Sequence, residues 1–309
     1  MILQKLNLTE IKEGLSKKKI FRINGKKYSK ILIDYSLDAE EFSNFLNIYQ
    51  ILKNVNISIP KIYEVNFRKK IIVMEDFGQN KFSKIVNSHN LYYLLKIDVD
   101  NLIEIQNSLI KDDLIKLEKY SFISLKEEIS EFIEFYIPFK KIYNFPENFF
   151  YNCWESEYNH HKIALNSFVH KDFEFINLIL LNNKKGHNKC GIIDFQSAYR
   201  GFIGWDLFSI LENSRDDYTR KYNEDLIKYF YNNVAMKIDF KSFKDQYYLL
   251  NLSRQTRLLG RFAKLFNSTN NREYLNYINS AQKRIKICLE NITNKHLKSI
   301  YKKFITFDE

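Results

Sequence analysis

Apolar and polar residues alternate in two short runs near the start of the chain, Lys19 to Ile23 and Tyr28 to Tyr35, as strands with one buried face require. Between them stands Asn24-Gly25, a pair that favours the positive φ angles of a tight hairpin turn. From Asp38 to Lys53 the period changes. Phe42, Phe45, Leu46, Tyr49 and Leu52 recur at three- and four-residue spacing behind an acidic first turn, the pattern of an amphipathic helix. Pro60 interrupts the chain, and Ile62 to Phe67 and Lys70 to Met74 read as two further strands that run into Glu75-Asp76-Phe77-Gly78. Beyond Gly78 helical periodicity takes over, in Leu91 to Leu109 and Leu125 to Tyr143, and it returns from Glu224 onward. This order predicts an α+β chain with a small β-rich lobe at residues 1–76 and a large α-helical lobe at 77–309. No repeat or low-complexity linker separates them, so residues 75–82 read as a hinge rather than a tether.

Composition narrows the picture modestly. With 309 residues, 45% of them hydrophobic and 28% charged, the chain can bury a substantial core and is not of disordered composition. The formal net charge of +11 invites a polyanionic partner. The lysines are scattered, however, and no nucleic-acid motif accompanies them, so they read as a solvated surface that remains compatible with a negatively charged substrate. Cys153, Cys190 and Cys288 form an odd, widely spaced set that fits neither a disulfide framework nor a zinc site, and they read as reduced bystander thiols. Met1 to Lys19 lacks an apolar core of signal-peptide length and no later run could span a bilayer, so a cytoplasmic protein with no membrane partner is expected.

The chemistry concentrates in two segments. Phe168 to Leu181 reads FVHKDFEFINLILL, with Asp172 two residues after His170 and Asn177 five residues after Asp172. Phosphoryl transfer needs a carboxylate to accept the proton of the attacking hydroxyl and a neighbouring amide oxygen to help hold the magnesium that bridges the nucleotide phosphates. Asp172 is the candidate base and Asn177 the candidate metal ligand. Cys190 to Gln196 then reads CGIIDFQ, an apolar strand ending in a carboxylate, and Asp194 is the candidate second ligand. The turn residues at Asn182 to Asn188 make the two apolar runs a hairpin that brings both acidic groups to its ends. The structural alternatives are a loop cap at Asp172, a turn residue at Asp194 and a core histidine at His170 that orients the loop, the last being the favoured reading of His170.

On these residues the chain resembles the aminoglycoside phosphotransferase and choline kinase superfamily, whose fold is bilobal and protein-kinase-like. It is most similar to the bacterial anomeric N-acetylmuramate and N-acetylglucosamine kinases of cell-wall sugar recycling. Those enzymes carry runs like IIDFQSAYRGFIGWDL, matching Phe195, Gln196, Arg200 and Gly201, like LSRQTRLLGRFAKL at Leu252 to Leu265, and like SKKKIFRI at Ser16 to Ile23. The resemblance implies ATP and Mg2+ as cofactors and a small-molecule acceptor, a sugar, for a monomeric enzyme with no nucleic-acid partner. It also implies that Asp206 is a buried carboxylate supporting the catalytic loop, and that Glu75 and Phe77 flank the backbone that pairs with adenine. Arg254 and Arg257, three apart on a predicted helix face, are candidates for a substrate carboxylate or phosphate, with a loop-anchoring basic face as the alternative. Glu174 is grouped with them as a substrate-binding candidate.

Two departures stand out. There is no G-x-G-x-x-G loop, and the strand ILID places Asp34 where protein kinases place the lysine that contacts the α/β phosphates. Ser16, Lys18 and Lys19 are therefore the candidates for phosphate binding. Glu40 and Glu41 sit where a kinase's regulatory helix presents glutamate, but with no strand lysine to meet they read as exposed first-turn carboxylates. An aminoglycoside or amino-alcohol kinase, and a catalytically silent kinase-like binding protein, are the competing functions.

Overall fold

The alternating runs form one antiparallel sheet. In a computed structural model, which describes residues 8–11, 17–25, 28–161, 163–215, 218–235 and 238–307, β1 (Leu8–Ile11), β2 (Lys19–Asn24), β3 (Ser29–Asp34), β4 (Ile62–Asn66) and β5 (Ile71–Glu75) lie in the order β1-β2-β3-β5-β4. β1, a short run with no strong alternation, was not anticipated from the sequence. Asn24 pairs with Ser29 within the β2/β3 ladder, so Asn24 belongs to the strand rather than to the turn.

Helix α1 (Ala39–Leu52) follows directly, with Asp38 as its cap: the Asp38 carboxylate accepts the Glu41 N–H at 2.9 Å, satisfying a donor the helix cannot satisfy itself. The apolar stripe expected for it is buried, through Phe42, Phe45, Ile48, Ile51 and Leu52. The Phe42 and Phe45 rings pack on the buried Tyr35, each 6.0 Å away. Burying an aromatic of this size stabilises a fold by about 1.5–3 kcal/mol, so the helix is fixed against the sheet by packing more than by propensity.

Past the end of β5 the chain is anchored by Asp76. Its carboxylate accepts from Arg22 Nε at 2.6 Å, the Ser29 hydroxyl at 2.6 Å and the Gly78 N–H at 2.8 Å. Gly78 has φ +88°, a left-handed conformation that costs glycine nothing. Burial opposes the Asp76 charge, but the Arg22, Ser29 and Gly78 hydrogen bonds outweigh it and hold its pKa below the usual carboxylate value. A depressed folded-state pKa contributes stability above the unfolded value, near pH 4, and loses it as pH falls through the folded value. Asp76→Asn should therefore cost about 2–3 kcal/mol at neutral pH. In thermal unfolding followed by circular dichroism, the gap to wild type should narrow below about pH 4.

The described residues group into two compact units. The first comprises those up to Asp113 together with His170–Ala198, and so contains the sheet, α1, the helix Leu91–Ser108, and the hairpin of Leu178–Leu180 with Cys190–Ile192. The hairpin is tied to the N-terminal part by backbone bonds from Ile192 N–H to the Ser58 carbonyl at 2.8 Å and from Leu180 N–H to the Asn80 carbonyl at 2.9 Å.

The second unit, Leu114–Val169 with Tyr199–Glu309, is mostly helical. Its helices Asn223–Asn233, Phe240–Thr269, Glu273–Asn291 and Lys295–Phe304 account for the periodicity that returns near Glu224. The helix expected at Leu125 to Tyr143 begins earlier, at Phe122, because Ser121 and Ser124 form a reciprocal capping box. It then passes through a π-helical turn at Phe132–Tyr136 and ends short of Tyr143, where Lys141 takes φ +53°. Gly260, in the long helix, lies where any Cβ would run into the backbone of Glu131. Gly260→Ala should thus force the two helical segments apart and cost about 3 kcal/mol or more, read as a fall in the urea midpoint with an unchanged m value.

Among the described residues no helix is long and apolar enough to cross a membrane, and the three cysteines are free and buried.

Candidate active site

The loop that carries Asp172 is built on buried side chains. Phe173 and Phe175 are fully buried, while Asp172 and Asn177 between and beyond them stay partly accessible. His170 Nε2 faces the Ile193 carbonyl at 3.1 Å. A carbonyl only accepts, so Nε2 carries the proton and donates. Burial pushes the imidazole pKa down despite the nearby Asp172 and Asp194 carboxylates, which favours the neutral ring. His170 thus fastens the loop to the strand that leads into Asp194.

Asn177 completes the turn. Its N–H donates to the Glu174 carbonyl at 2.8 Å and its Nδ2 to the Asp172 carbonyl at 2.9 Å, and its own carbonyl accepts the Ile193 N–H at 3.1 Å. With the amide nitrogen committed, Oδ1 is the atom left to coordinate a cation. Lys171 (φ +79°) and Asp194 (φ +65°) both adopt left-handed conformations; aspartate tolerates this readily and lysine less so. Such local strain, flanking two acidic residues, is characteristic of functional loops.

Asp194 sits in a charge cluster. Lys18 Nζ lies 2.7 Å from Asp194 Oδ1 and 3.0 Å from Glu41 Oε1, and Gln196 Nε2 donates to the same two oxygens, at 3.0 Å and 2.9 Å. The lysine side chain is only 7% exposed. Burial would lower its pKa, but the Asp194 and Glu41 carboxylates more than offset that and keep it charged. Burial likewise disfavours the Asp194 carboxylate, and the Lys18 ammonium and Gln196 amide hold its pKa below the ordinary range. Phe195, next to Asp194, stacks on Phe45 of α1 with ring centroids 4.9 Å apart.

The expectation that Glu41 is an exposed first-turn carboxylate is corrected here. On β3 Asp34 occupies the position expected for the kinase lysine, and Lys19 pairs with Asp34 across the β2/β3 ladder, so Lys18 enters the sheet beside that position. Glu41 meets it there, while Glu40 is exposed. Asp34 itself makes a local turn, accepting the Ser36 N–H at 2.8 Å.

The remaining candidates fall in different places. Ser16 lies outside the described residues, and Lys19 is exposed on β2. Glu75 closes β5, and Phe77 follows it with its ring where a Cβ on Gly191 would have to be, so glycine in the hairpin strand makes room for it. Glu174 is buried at the turn before Asn177. In the second unit, Asp206 is buried in the first turn of the helix Trp205–Leu211; on the helix Phe240–Thr269, Arg254 is buried and Arg257 partly accessible. Gln196, absent from the sequence-derived set, was signalled only by its place in the IIDFQ run.

A divalent cation fits this donor set. Among the described residues no group of three or more His, Cys, Asp or Glu side chains converges as a metal site. Mg2+ needs no such cage, since it is commonly held by one or two protein oxygens together with phosphate oxygens and water. Asp194 and Asn177 Oδ1 are the residues that would supply such oxygens.

The fold is the kinase-like α+β fold of aminoglycoside phosphotransferases and choline kinases, as the sequence led one to expect. The ADP-bound aminoglycoside phosphotransferase APH(2'')-Ib superposes with a TM-score of 0.61 at 17% identity, covering 94% of this chain and 96% of that one. Choline kinase LicA from Streptococcus pneumoniae gives 0.61 at 14% identity, over 93% and 95%. In sequence, the chain is similar to an N-acetylmuramate/N-acetylglucosamine kinase of Pseudomonas putida, 20% identical over 281 residues, or 87% of this chain and 79% of that protein. It is also similar to a kinase of the same name from Caulobacter vibrioides, 25% identical over 138 residues, 45% of this chain and 38% of that protein. No protein-family model matches the chain. Both comparisons bear out the resemblance carried by the HKDFEFIN and IIDFQ runs.

Proposed function

We propose that this chain is an ATP- and Mg2+-dependent phosphotransferase that acts on a hydroxyl group of a small molecule, and that its acceptor is the anomeric hydroxyl of an N-acetylated amino sugar. The observation that carries the enzymatic reading is that Asn177 bonds to the Asp172 carbonyl and to Ile193, the residue before Asp194, with a charged Lys18 held on Asp194 and Glu41.

In this reading Asp172 accepts the proton of the acceptor hydroxyl as its oxygen bonds to the γ-phosphorus and the bond to the β,γ-bridging oxygen breaks, releasing ADP. Asn177 Oδ1 and Asp194 would hold Mg2+, which supplies charge neutralisation on the phosphate oxygens when bound. Lys18 takes the part of the absent β3 lysine and meets the phosphates, with Glu41 orienting it. Residues 1–76 serve the nucleotide, with Glu75 and Phe77 bracketing the adenine-pairing backbone, and 77–309 serve catalysis and the acceptor. Glu174 is assigned to the acceptor side of the loop, while Arg254, Arg257 and Asp206 keep the roles that the resemblance implies, the two arginines for an anionic group of the acceptor and the aspartate as a supporting carboxylate. A cytoplasmic role in the recycling of cell-wall sugars follows from the same assignment.

The sugar assignment is supported by similarity to the two kinases named for N-acetylmuramate and N-acetylglucosamine. It is tested by coupled ADP-release assays with N-acetylmuramate, N-acetylglucosamine, unmodified sugars, choline and aminoglycosides, with the phosphorylated position read by phosphorus NMR. Turnover of an N-acetylated sugar to a 1-phosphate is the expected result. Turnover of choline or an aminoglycoside alone would replace the acceptor and keep the reaction, whereas nucleotide binding without transfer to any acceptor would leave a binding protein.

A further inference from the structure

Gln196 bridges two carboxylates that must not repel one another if Asp194 is to receive a cation. Its Nε2 donates to Asp194 Oδ1 at 3.0 Å and to Glu41 Oε1 at 2.9 Å. Both partners are acceptors, which fixes the orientation of the amide: turned over, Oε1 would face two carboxylate oxygens. Gln196 is 8% exposed, its Oε1 is buried with no hydrogen-bond partner and its Nε2 is committed to the two carboxylates, so the amide is not offered to a ligand. Lys18 shares Asp194 Oδ1 with Gln196, which concentrates the protein's donors on one oxygen. The Asp194 side chain is still 37% accessible, and Oδ2 is the oxygen these donors leave over.

We propose that Gln196 is a positioning residue for the metal: it holds Asp194 Oδ1 against Glu41 of α1, turning Oδ2 outward for the cation, and it retains that hold when Lys18 turns to the phosphates. This rests on the phosphotransferase reading above. The link also makes the metal carboxylate sensitive to the placement of α1, because Glu41 lies in that helix's first turn and the Phe45–Phe195 stack ties the same two segments on their apolar side.

The test is calorimetric titration of ADP over a Mg2+ series, with Gln196→Met and Gln196→Leu, which delete the donors while keeping apolar bulk. Loss of a hydrogen bond to a charged group should raise the half-saturating Mg2+ about tenfold in both variants. Metal-free ADP affinity should change less than about twofold and, at saturating Mg2+, kcat should return to within about threefold of wild type. Thermal unfolding without ligands identifies a variant that fails to fold, and the other then decides. An unchanged Mg2+ requirement, or equal loss of ADP affinity with and without Mg2+, overturns the positioning role and leaves the phosphotransferase reading standing. A wild-type protein whose ADP binding shows no Mg2+ dependence overturns both.

Discussion

Asp172→Asn is expected to lower turnover by about 10³-fold or more while leaving Mg2+-dependent nucleotide affinity within about threefold of wild type. The amide keeps the size of the side chain and removes its capacity to accept the acceptor's proton, and the hydrogen bonds that shape the turn do not use that carboxylate. The bonds that shape the turn run through the Asp172 carbonyl, the Asn177 amide and the His170 ring. Asp194→Asn should behave differently, weakening Mg2+-dependent nucleotide binding as well as turnover, because it strips the charge from the metal ligand and the partner from Lys18. Single-turnover kinetics with equilibrium binding would separate the two. Equal and small effects in both variants would remove the catalytic assignment.

The second large effect is expected at Lys18. Lys18→Met should reduce kcat/KM by about 10²- to 10³-fold, on the scale of deleting a preorganised charge that meets the transferring phosphoryl group. It should also reduce stability by about 1–3 kcal/mol, since it leaves Glu41 and Asp194 facing one another with only Gln196 between them. Lys18→Arg should not restore activity, because a rigid planar fork does not replace a compact ammonium held between two single oxygens. Full activity in Lys18→Met would place the phosphate-binding charge elsewhere. Exposed Lys19 on β2 would be examined next.

Much of this was legible along the chain because it depends on near neighbours. The β2/β3 hairpin, α1 with its Asp38 cap, and the hairpin carrying Asn177 and Asp194 arise from alternation, capping and turn chemistry within a few residues. The same holds for the candidate base and metal ligands, whose spacing is itself the signal. Where prediction slipped, the local rule lost to packing or geometry. Asn24 was drawn into the ladder instead of the turn, and the helix starting at Phe122 was extended by a capping box and bent through a π turn beside Gly260.

What the tertiary structure decided is the electrostatics. The Lys18–Glu41 and Lys18–Asp194 pairs span 23 and 176 residues of sequence, and Gln196 reaches Glu41 across 155. In a chain with 48 Lys and Arg residues against 37 Asp and Glu, no composition or spacing rule selects those partners. The register that sets Lys19 opposite Asp34 brings Lys18 to the first turn of α1, and the packing of Phe45 on Phe195 with the backbone bond from Ile192 to Ser58 brings Asp194 to them both. The sequence by itself determined which residues could do chemistry, since their type and local spacing are covalent facts. Which carboxylates Lys18 meets was decided by folding, because Coulomb interactions depend on distance in space and not along the chain.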